Sequence, residues 1–467
     1  MPKVSIDDNF FDIGCDSIIA IKFQIEALNE NIDISYGDIF KYPTIRMLSE
    51  NKNTEQNNLA LSVDKDYDYT RLNNILLKNK QNNNWNLSEN RVLLLGSTGF
   101  LGAHILDSYF SNNPDNTLYC IVRKKGLLEP SERLKKTLNY YFGNKYDDYF
   151  TKNKIVILDG DICEKNWGLS LAQFKDLMNH IDIIINSAAL VKHYGDYETF
   201  SKINIEGTKN ISHICKKYSK KLYHISTLSV SGMKTNTKNS ENQIFDETSL
   251  YINQELDNVY IYTKFEAEKC ILEEIENGLN ATILRVGNLT NRFSDGMFQI
   301  NVHENAFVNR LKAIIHLKAI QRSFSNHLIE LTPVDSCADA IIKITNAYHT
   351  FSVLHIVNTN YISCKKLINY INNANYHIKP MSDKNFSSRV EKYLSTDNLK
   401  NSITGIITDL NKNKTLNYIT NVTLKADITN TFLNRLEFHW PILDDLYFKK
   451  YFAFFKKINY FTKNEED

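Results

Sequence analysis

The chain has 467 residues, 42% hydrophobic and 12% aromatic, enough for one to three domains with sizeable cores. Lys and Arg number 55 against 54 Asp and Glu, so no basic surplus points to nucleic acid as the main partner. No apolar run is long enough to span a bilayer, MPKVSIDDNF lacks a signal-peptide core, and the seven scattered cysteines form no C-x-x-C pair, so a cytoplasmic chain with reduced thiols and no metal is expected.

Residues 1–52 read as a small helical unit. Asn9 to Phe23 run NFFDIGCDSIIAIKF, with Ser17 at a helix start and Ile18, Ile21, Ile25 and Leu28 at helical spacing. The segment resembles the phosphopantetheine carrier domains of nonribosomal peptide and polyketide synthases. Phe10, Phe11, Ile13, Gly14, Cys15, Asp16 and Ser17 carry that resemblance. It implies that Ser17 bears a covalent 4′-phosphopantetheine arm, placed there by a phosphopantetheinyl transferase. The positive end of a helix dipole suits such a phosphodiester, although serine also serves as a plain N-cap. The unit starts almost at the Phe-Phe segment. The resemblance therefore implies a partial carrier domain that lacks its first helix.

Residues 53–88 are rich in Asn, Lys and Asp and read as a linker, with one short helix within Tyr69 to Lys78. A βαβ rhythm then fills residues 89–346. Strands are expected at Val92–Leu95, Leu118–Val122, Lys154–Leu158, Ile181–Asn186, Lys221–Ser226 and Ala281–Val286. The expected fold is α/β, a doubly wound parallel (Rossmann-type) sheet with a smaller C-terminal substrate domain.

The first strand runs into GSTGFLG. Gly96 suits the tight turn, Gly99 the approach of a pyrophosphate, and Gly102 close packing of helix on strand. Gly96, Thr98, Gly99, Phe100, Leu101 and Gly102 are the candidate cofactor contacts; the competing reading is a βα turn without ligand. After the second strand stands Arg123-Lys124-Lys125, with no acidic residue to hold the ribose hydroxyls of NAD. That favours NADPH, with Arg123 and Arg133 as candidates for its 2′-phosphate, against a merely solvated basic loop. Asp161 and Ile162 end the third strand, where a carboxylate can accept from an adenine amino group. Ala188 and Ala189 follow the fourth, where small side chains let a cofactor lie flat.

The fifth strand leads into Thr227. Tyr260 and Lys264 share one helical face. An ammonium beside a phenol lowers its pKa from about 10. Tyr262 is the competing phenol, but it lies off the Lys264 face. Asn288 and Arg292 follow the sixth strand in a loop expected to cover the nicotinamide. His193 is read as a structural hydrogen-bonder and Asp335 as a helix cap. Residues 347–467 are read as a substrate and lid region. Its Lys-studded aromatic end is expected to pack on the catalytic domain, with a membrane-surface helix as the competing reading.

With GSTGFLG, CIVR, GDI, NSAALVKH, NIEGT, HISTLSV, YTKFEAE, LRVGNLT and LTPVDSCADAI in this order, residues 91 to about 460 resemble the thioester reductase domains that end nonribosomal peptide synthetases. These belong to the extended short-chain dehydrogenases, with relatives in carboxylic acid and aminoadipate reductases. The resemblance implies Thr227, Tyr260 and Lys264 as catalytic residues and NADPH as reductant. It implies an acyl or peptidyl thioester as substrate and upstream synthetase modules as partners. The product is an aldehyde, or an alcohol after a second reduction. Thr263 replaces the usual serine, and Asn186 stands where histidine is common. Competing readings are an acyl-CoA reductase, a sugar-nucleotide epimerase or dehydratase, and a non-catalytic docking fragment.

Overall fold

The computed structural model describes residues 5–461 except 16, 31, 33, 35–37, 40–41, 52–62, 65–66, 82–85, 88–90, 192–196, 236–241, 257, 397–398, 400, 408, 411–412 and 417–419. The reading of His193 falls outside the described residues.

Seven parallel strands form the central sheet: β1 (Val92–Leu95), β2 (Leu118–Val122), β3 (Ile155–Asp159), β4 (Ile183–Asn186), β5 (Lys221–Thr227), β6 (Ala281–Val286) and β7 (Val353–Ile356). Their order is β7-β6-β5-β4-β1-β2-β3. The six strands read from the sequence are all present. The edge strand β7 comes from beyond residue 346, so the sheet is completed by the C-terminal region.

Strand alternation divides the core in two. Val92 and Leu94 face one layer with helices Phe100–Asn112 and Val334–Thr345. Leu93 and Leu95 face the other, with Leu171–His180, Gly207–Lys217 and Val259–Glu276. All four β1 side chains are buried, as a strand covered on both faces requires. Strand order reverses between β1 and β4, which opens a crevice outside the carboxyl ends of the strands.

The N-terminal unit has a core of its own. Helix α1 (Ser17–Asn29) brings Ala20 against Phe10, Ile39 and Leu48, with the Phe10 and Phe23 rings 5.6 Å apart. The Phe10 N–H donates to the Pro43 carbonyl at 2.8 Å, fixing the Phe-Phe turn.

Part of the expected linker is built into the catalytic body. Helix α2 (Thr70–Leu77) buries Leu72, Ile75 and Leu76, within the Tyr69 to Lys78 stretch read as helical. This strap fastens onto helix α3 (Val259–Glu276). The Tyr67 hydroxyl donates to Glu273 at 2.6 Å, and Lys269 Nζ lies 3.9 Å from the Tyr67 ring centroid. Arg71 pairs with Glu276 at 3.0 Å, and the buried Tyr69 ring lies 4.8 Å from Tyr251. Asn79 closes the strap on the sheet edge. It donates to the Val353 carbonyl at 3.1 Å and accepts from the Ser352 N–H at 2.9 Å.

The aromatic C-terminal stretch forms helix α4 (Asp445–Lys457), which buries Tyr447, Phe448, Tyr451, Phe452 and Phe455. Lys449, Lys456 and Lys457 stay exposed. The Phe448 ring stacks on Tyr370 at 4.2 Å and Tyr447 on Phe293 at 5.9 Å. The apolar face is thus spent on the protein interior, as expected, and not on a membrane surface.

Candidate active site

The glycine turn has the geometry its spacing implies. Gly96 has φ +82°, and a Cβ there would lie 2.6 Å from Ser187 backbone atoms. A Cβ on Gly102 would lie 2.1 Å from the Gly96 carbonyl oxygen. Gly99 is exposed; a Cβ there would meet only the Gly96 carbonyl oxygen, tightly at 3.3 Å, and the solvent side stays open. Gly99 caps helix Phe100–Asn112 without a side-chain bond. The first N–H groups of that helix therefore have no capping side chain, and with the dipole they form an anion cradle. Phe100 and Leu101 turn their side chains into the core; the Phe100 ring lies 5.5 Å from Phe298. Any contact they make with a pyrophosphate is through the backbone.

At the end of β2 the two expected arginines converge. Arg133 donates to the Arg123 carbonyl at 2.9 Å. Burial and the nearby Arg123 charge lower the Arg133 pKa. Two guanidiniums brought together in this way suit a phosphate. Arg123 also donates to Asp161 at 3.2 Å. Burial raises the Asp161 carboxyl, but the Cys163 N–H and Arg123 outweigh it, and the pKa is lowered. Lys124 is exposed and paired with Glu129, as a solvated loop residue would be. Ile162 is buried beside Gly207, while Ala188 and Ala189 are partly exposed at the β4 end.

At the end of β5, the Thr227 side chain lies close enough to the Tyr260 hydroxyl to act on its titration. Asn258 caps α3 by accepting from the Ile261 N–H at 2.9 Å, which fixes the turn that carries Tyr260. Lys264 lies one turn along, 2% exposed. Its Nζ donates to the Ile225 carbonyl at 2.7 Å and lies 3.1 Å from His224 Nε2. Burial pushes the Tyr260 phenol up to about 12, with Thr227 acting the other way. The expected lowering by a Lys264 ammonium is therefore corrected: Lys264 spends its contacts on β5, and the partly buried phenol stays protonated. Tyr262 lies off this cluster, towards Tyr197.

Asn288 is exposed, and its N–H donates to Glu330 at 2.5 Å. Glu330 also accepts from Thr332, and a Cβ on Gly287 would lie 2.7 Å from it. Burial pushes the Glu330 carboxyl up to about 7. Arg292 is engaged by Asp295 and lies over the Phe142 ring at 5.2 Å, so it braces the loop from within. Asp335 is not a cap. It sits inside the first turn of its helix and accepts from the Phe293 and Ser294 N–H groups at 2.8 and 3.0 Å.

Sequence reasoning passed over Asn204, His224 and Glu330. Asn204 bonds both Leu190 backbone groups and Thr263 Oγ1, tying the β4 turn to α3. Asn204 and His224 lay within quoted motifs, but nothing in their spacing marked them. Glu330 is an acidic residue beside LTPVD, and its burial is visible only in three dimensions. Ser17 opens α1; its side chain lies outside the described residues, as does Asp16.

Comparison with known proteins places this geometry in context. A family model described as "Male sterility protein" matches residues 94–341, and one described as "Phosphopantetheine attachment site" matches residues 2–51. A solved thiolation-reductase di-domain from an archaeal non-ribosomal peptide synthetase superposes with a TM-score of 0.87 and 33% identity, covering 99% of this chain and 95% of that one. A linear gramicidin synthase of Brevibacillus parabrevis is 26% identical over 81% of this chain. The L-2-aminoadipate reductase of Penicillium chrysogenum is, in its large subunit, 26% identical over 83%. The chain spans 7% and 29% of the lengths of those two relatives.

Proposed function

The chain belongs to the male sterility protein family, joined to a phosphopantetheine attachment domain as in a thiolation-reductase di-domain, and on that basis we propose that it reduces a carrier-bound acyl or peptidyl thioester with NADPH and releases an aldehyde. The observation that carries this reading is the juxtaposition of Thr227 and Tyr260 at the end of β5, on the side of the sheet where the glycine cradle lies. Two hydroxyls converge there on a point where a carbonyl oxygen can be held and protonated.

The roles follow the chain. Ser17 carries the 4′-phosphopantetheine arm, added by a phosphopantetheinyl transferase, and upstream synthetase modules supply the acyl group. The domain limits for these roles are 1–52 for the carrier, 53–88 for the linker, 89–346 for the dinucleotide-binding body and 347–467 for the substrate region, which also lends β7 to the sheet. Seven free cysteines support a reducing, cytoplasmic setting. No helix among the described residues is long and apolar enough to cross a membrane.

The glycine turn and the Arg123–Arg133 pair fit the pyrophosphate and 2′-phosphate of NADPH, whose chemistry is hydride donation. Asp161 and Ile162 would border its adenine, Ala188 and Ala189 its flat approach, and Asn288 its nicotinamide end. Thr227 and Tyr260 hold the thioester oxygen, and Tyr260 gives it a proton. With a hydride added to the carbonyl carbon, the resulting hemithioacetal passes its hydroxyl proton to sulfur as the C–S bond breaks, leaving an aldehyde and the thiol of the arm. Tethering raises the local substrate concentration.

The test is NADPH consumption and aldehyde formation by the full chain loaded with an acyl-phosphopantetheine group. Tyr260→Phe is expected to lose about 10²–10⁴ in rate while NADPH still binds. Wild-type turnover by that variant would refute the assignment, and turnover of a nucleotide sugar would move the chain to a different reaction.

A further inference from the structure

The turn after β3 is held in a form that its residues would not choose alone. Asn166, Trp167 and Gly168 stand one after another in the left-handed region, with φ +51°, +56° and +78°. That region is uncommon for a non-glycine residue and more so for a bulky one. Trp167 is nonetheless wholly buried, its ring 5.5 Å from Phe174. The three residues make a clip. The Trp167 carbonyl accepts from the Asp161 N–H at 2.9 Å, and a Cβ on Gly160 would lie 2.3 Å from that carbonyl oxygen. Strain of this kind gathers where a side chain has to be aimed in advance.

The side chain so aimed is Asp161. Its Oδ1 accepts from the Cys163 N–H at 2.9 Å, which leaves Oδ2 turned to Arg123 Nη1 at 3.2 Å. The Arg123 carbonyl accepts from Arg133 Nη1 at 2.9 Å. Arg123 is therefore fixed twice, at its guanidinium by Asp161 and at its backbone by helix Pro130–Phe142. A guanidinium carries five N–H donors in a rigid fork. Only Nη1 is engaged; Nε and Nη2 make no bond among the described residues. The Arg123 side chain is 55% exposed, so without Asp161 it would be free to change rotamer.

We propose that Asp161 is a positioning residue for coenzyme choice: it holds the Arg123 fork, ahead of binding, where that fork meets a 2′-phosphate. The proposal deepens the reductase reading and rests on NADPH being its coenzyme. Adenine is common to NADH and NADPH, so bordering it selects neither. Fixing Arg123 does select, because only one of the two coenzymes brings a phosphate to it. The entropy of ordering a long side chain is then lost on folding and not on binding.

The surrounding charges leave the attraction in place. Two guanidiniums, Arg123 and Arg133, stand against the one Asp161 carboxylate. Lys124 is turned to Glu129, and Asp159 accepts from the Lys124 N–H at 3.3 Å. Lys202 meets this turn through its backbone, its carbonyl accepting from Cys163 Sγ at 3.5 Å.

The test is the binding of NADPH and of NADH to the full chain, titrated separately and without substrate. Asp161→Asn keeps an oxygen for the Cys163 N–H but turns an NH₂ donor towards Arg123, which releases the fork. The affinity ratio of NADPH to NADH is expected to fall about three- to tenfold. In an Arg123→Ala background the same substitution should leave the ratio within about twofold, because the residue it acts through is gone. A merely structural role would weaken both coenzymes alike. A ratio that holds or rises in Asp161→Asn overturns the proposal, and so does a fall that persists undiminished without Arg123. Asp161→Ser, which also keeps an acceptor for the Cys163 N–H, decides if Asp161→Asn fails to fold; failure of both makes the aspartate structural and overturns the proposal. A wild-type chain that prefers NADPH, with the preference unmoved in the variant, refutes this inference alone. A wild-type chain that binds neither coenzyme, or NADH as tightly as NADPH, refutes the coenzyme reading, and the inference falls with it.

Discussion

The Arg285 guanidinium grips the Glu268 carboxylate with both groups wholly buried, Nη2 lying 2.7 Å from Oε2. The pair ties β6 to the helix that carries Tyr260 and Lys264, and Ser226 and His355 take up further valences at 2.5 and 3.2 Å. Breaking one half leaves an uncompensated charge in the core. Glu268→Gln is expected to lower unfolding free energy by about 3–5 kcal/mol. Glu268→Leu combined with Arg285→Met should recover much of it. Denaturant unfolding of the three proteins checks this; equal stability of wild type and Glu268→Gln would contradict it.

Gly102 and Gly99 of the turn should separate by function. Alanine at Gly102 collides with the Gly96 carbonyl, so Gly102→Ala is expected to lose about 1–3 kcal/mol of stability together with NADPH binding. Gly99→Ala meets only the Gly96 carbonyl, at 3.3 Å, a tight contact that a shift of a few tenths of an ångström relieves, and it chiefly removes the open approach. It should lose less stability than Gly102→Ala and bind NADPH at least about tenfold more weakly, a difference of about 1.4 kcal/mol. Thermal melts with and without NADPH separate the two outcomes.

Coenzyme choice should sit with the paired arginines. Arg123→Ala with Arg133→Ala removes charge-assisted bonds worth about 1.5–3 kcal/mol each. NADPH binding should weaken by one to several powers of ten while NADH binding changes little. An equal loss for both coenzymes would place the 2′-phosphate elsewhere.

Glu330 gives a pH signature. Its carboxyl is raised from 4.5 to about 7 by burial, with bonds from Thr332 and Asn288 opposing. Between those values the folded protein holds a proton that the unfolded chain has released. Stability should therefore be full below about pH 4.5, fall as pH rises through 7, and then level off. Glu330→Gln should flatten that slope and be the more stable protein at about pH 8, by at most about 3 kcal/mol. Chemical unfolding across pH checks the sign.

The sheet was legible because β1, β2 and β4 to β6 are apolar runs followed by turn chemistry, and buried parallel strands leave that pattern. β7 was less visible: SVLHIV is short and follows a region of mixed signals, and its place is set by pairing with β6. Thr227, Tyr260 and Lys264 were found by order and spacing. Their electrostatics were not, because spacing places Lys264 beside Tyr260 but says nothing of His224, which meets it from another strand. The strap was legible as a helix but not as part of the catalytic body. Its partners Glu273, Glu276 and Tyr251 lie about two hundred residues away.

That strap sets the length of a leash. With Tyr67, Tyr69, Arg71 and Asn79 moored to the body, the catalytic body begins near Val63 rather than at the start of the sheet. About a dozen residues then separate that point from the carrier, and covalent geometry limits such a length of chain to roughly 40 Å. Within that radius the arm of this carrier is a permanent neighbour of its own reductase, and a thioester presented by any other chain competes from dilute solution.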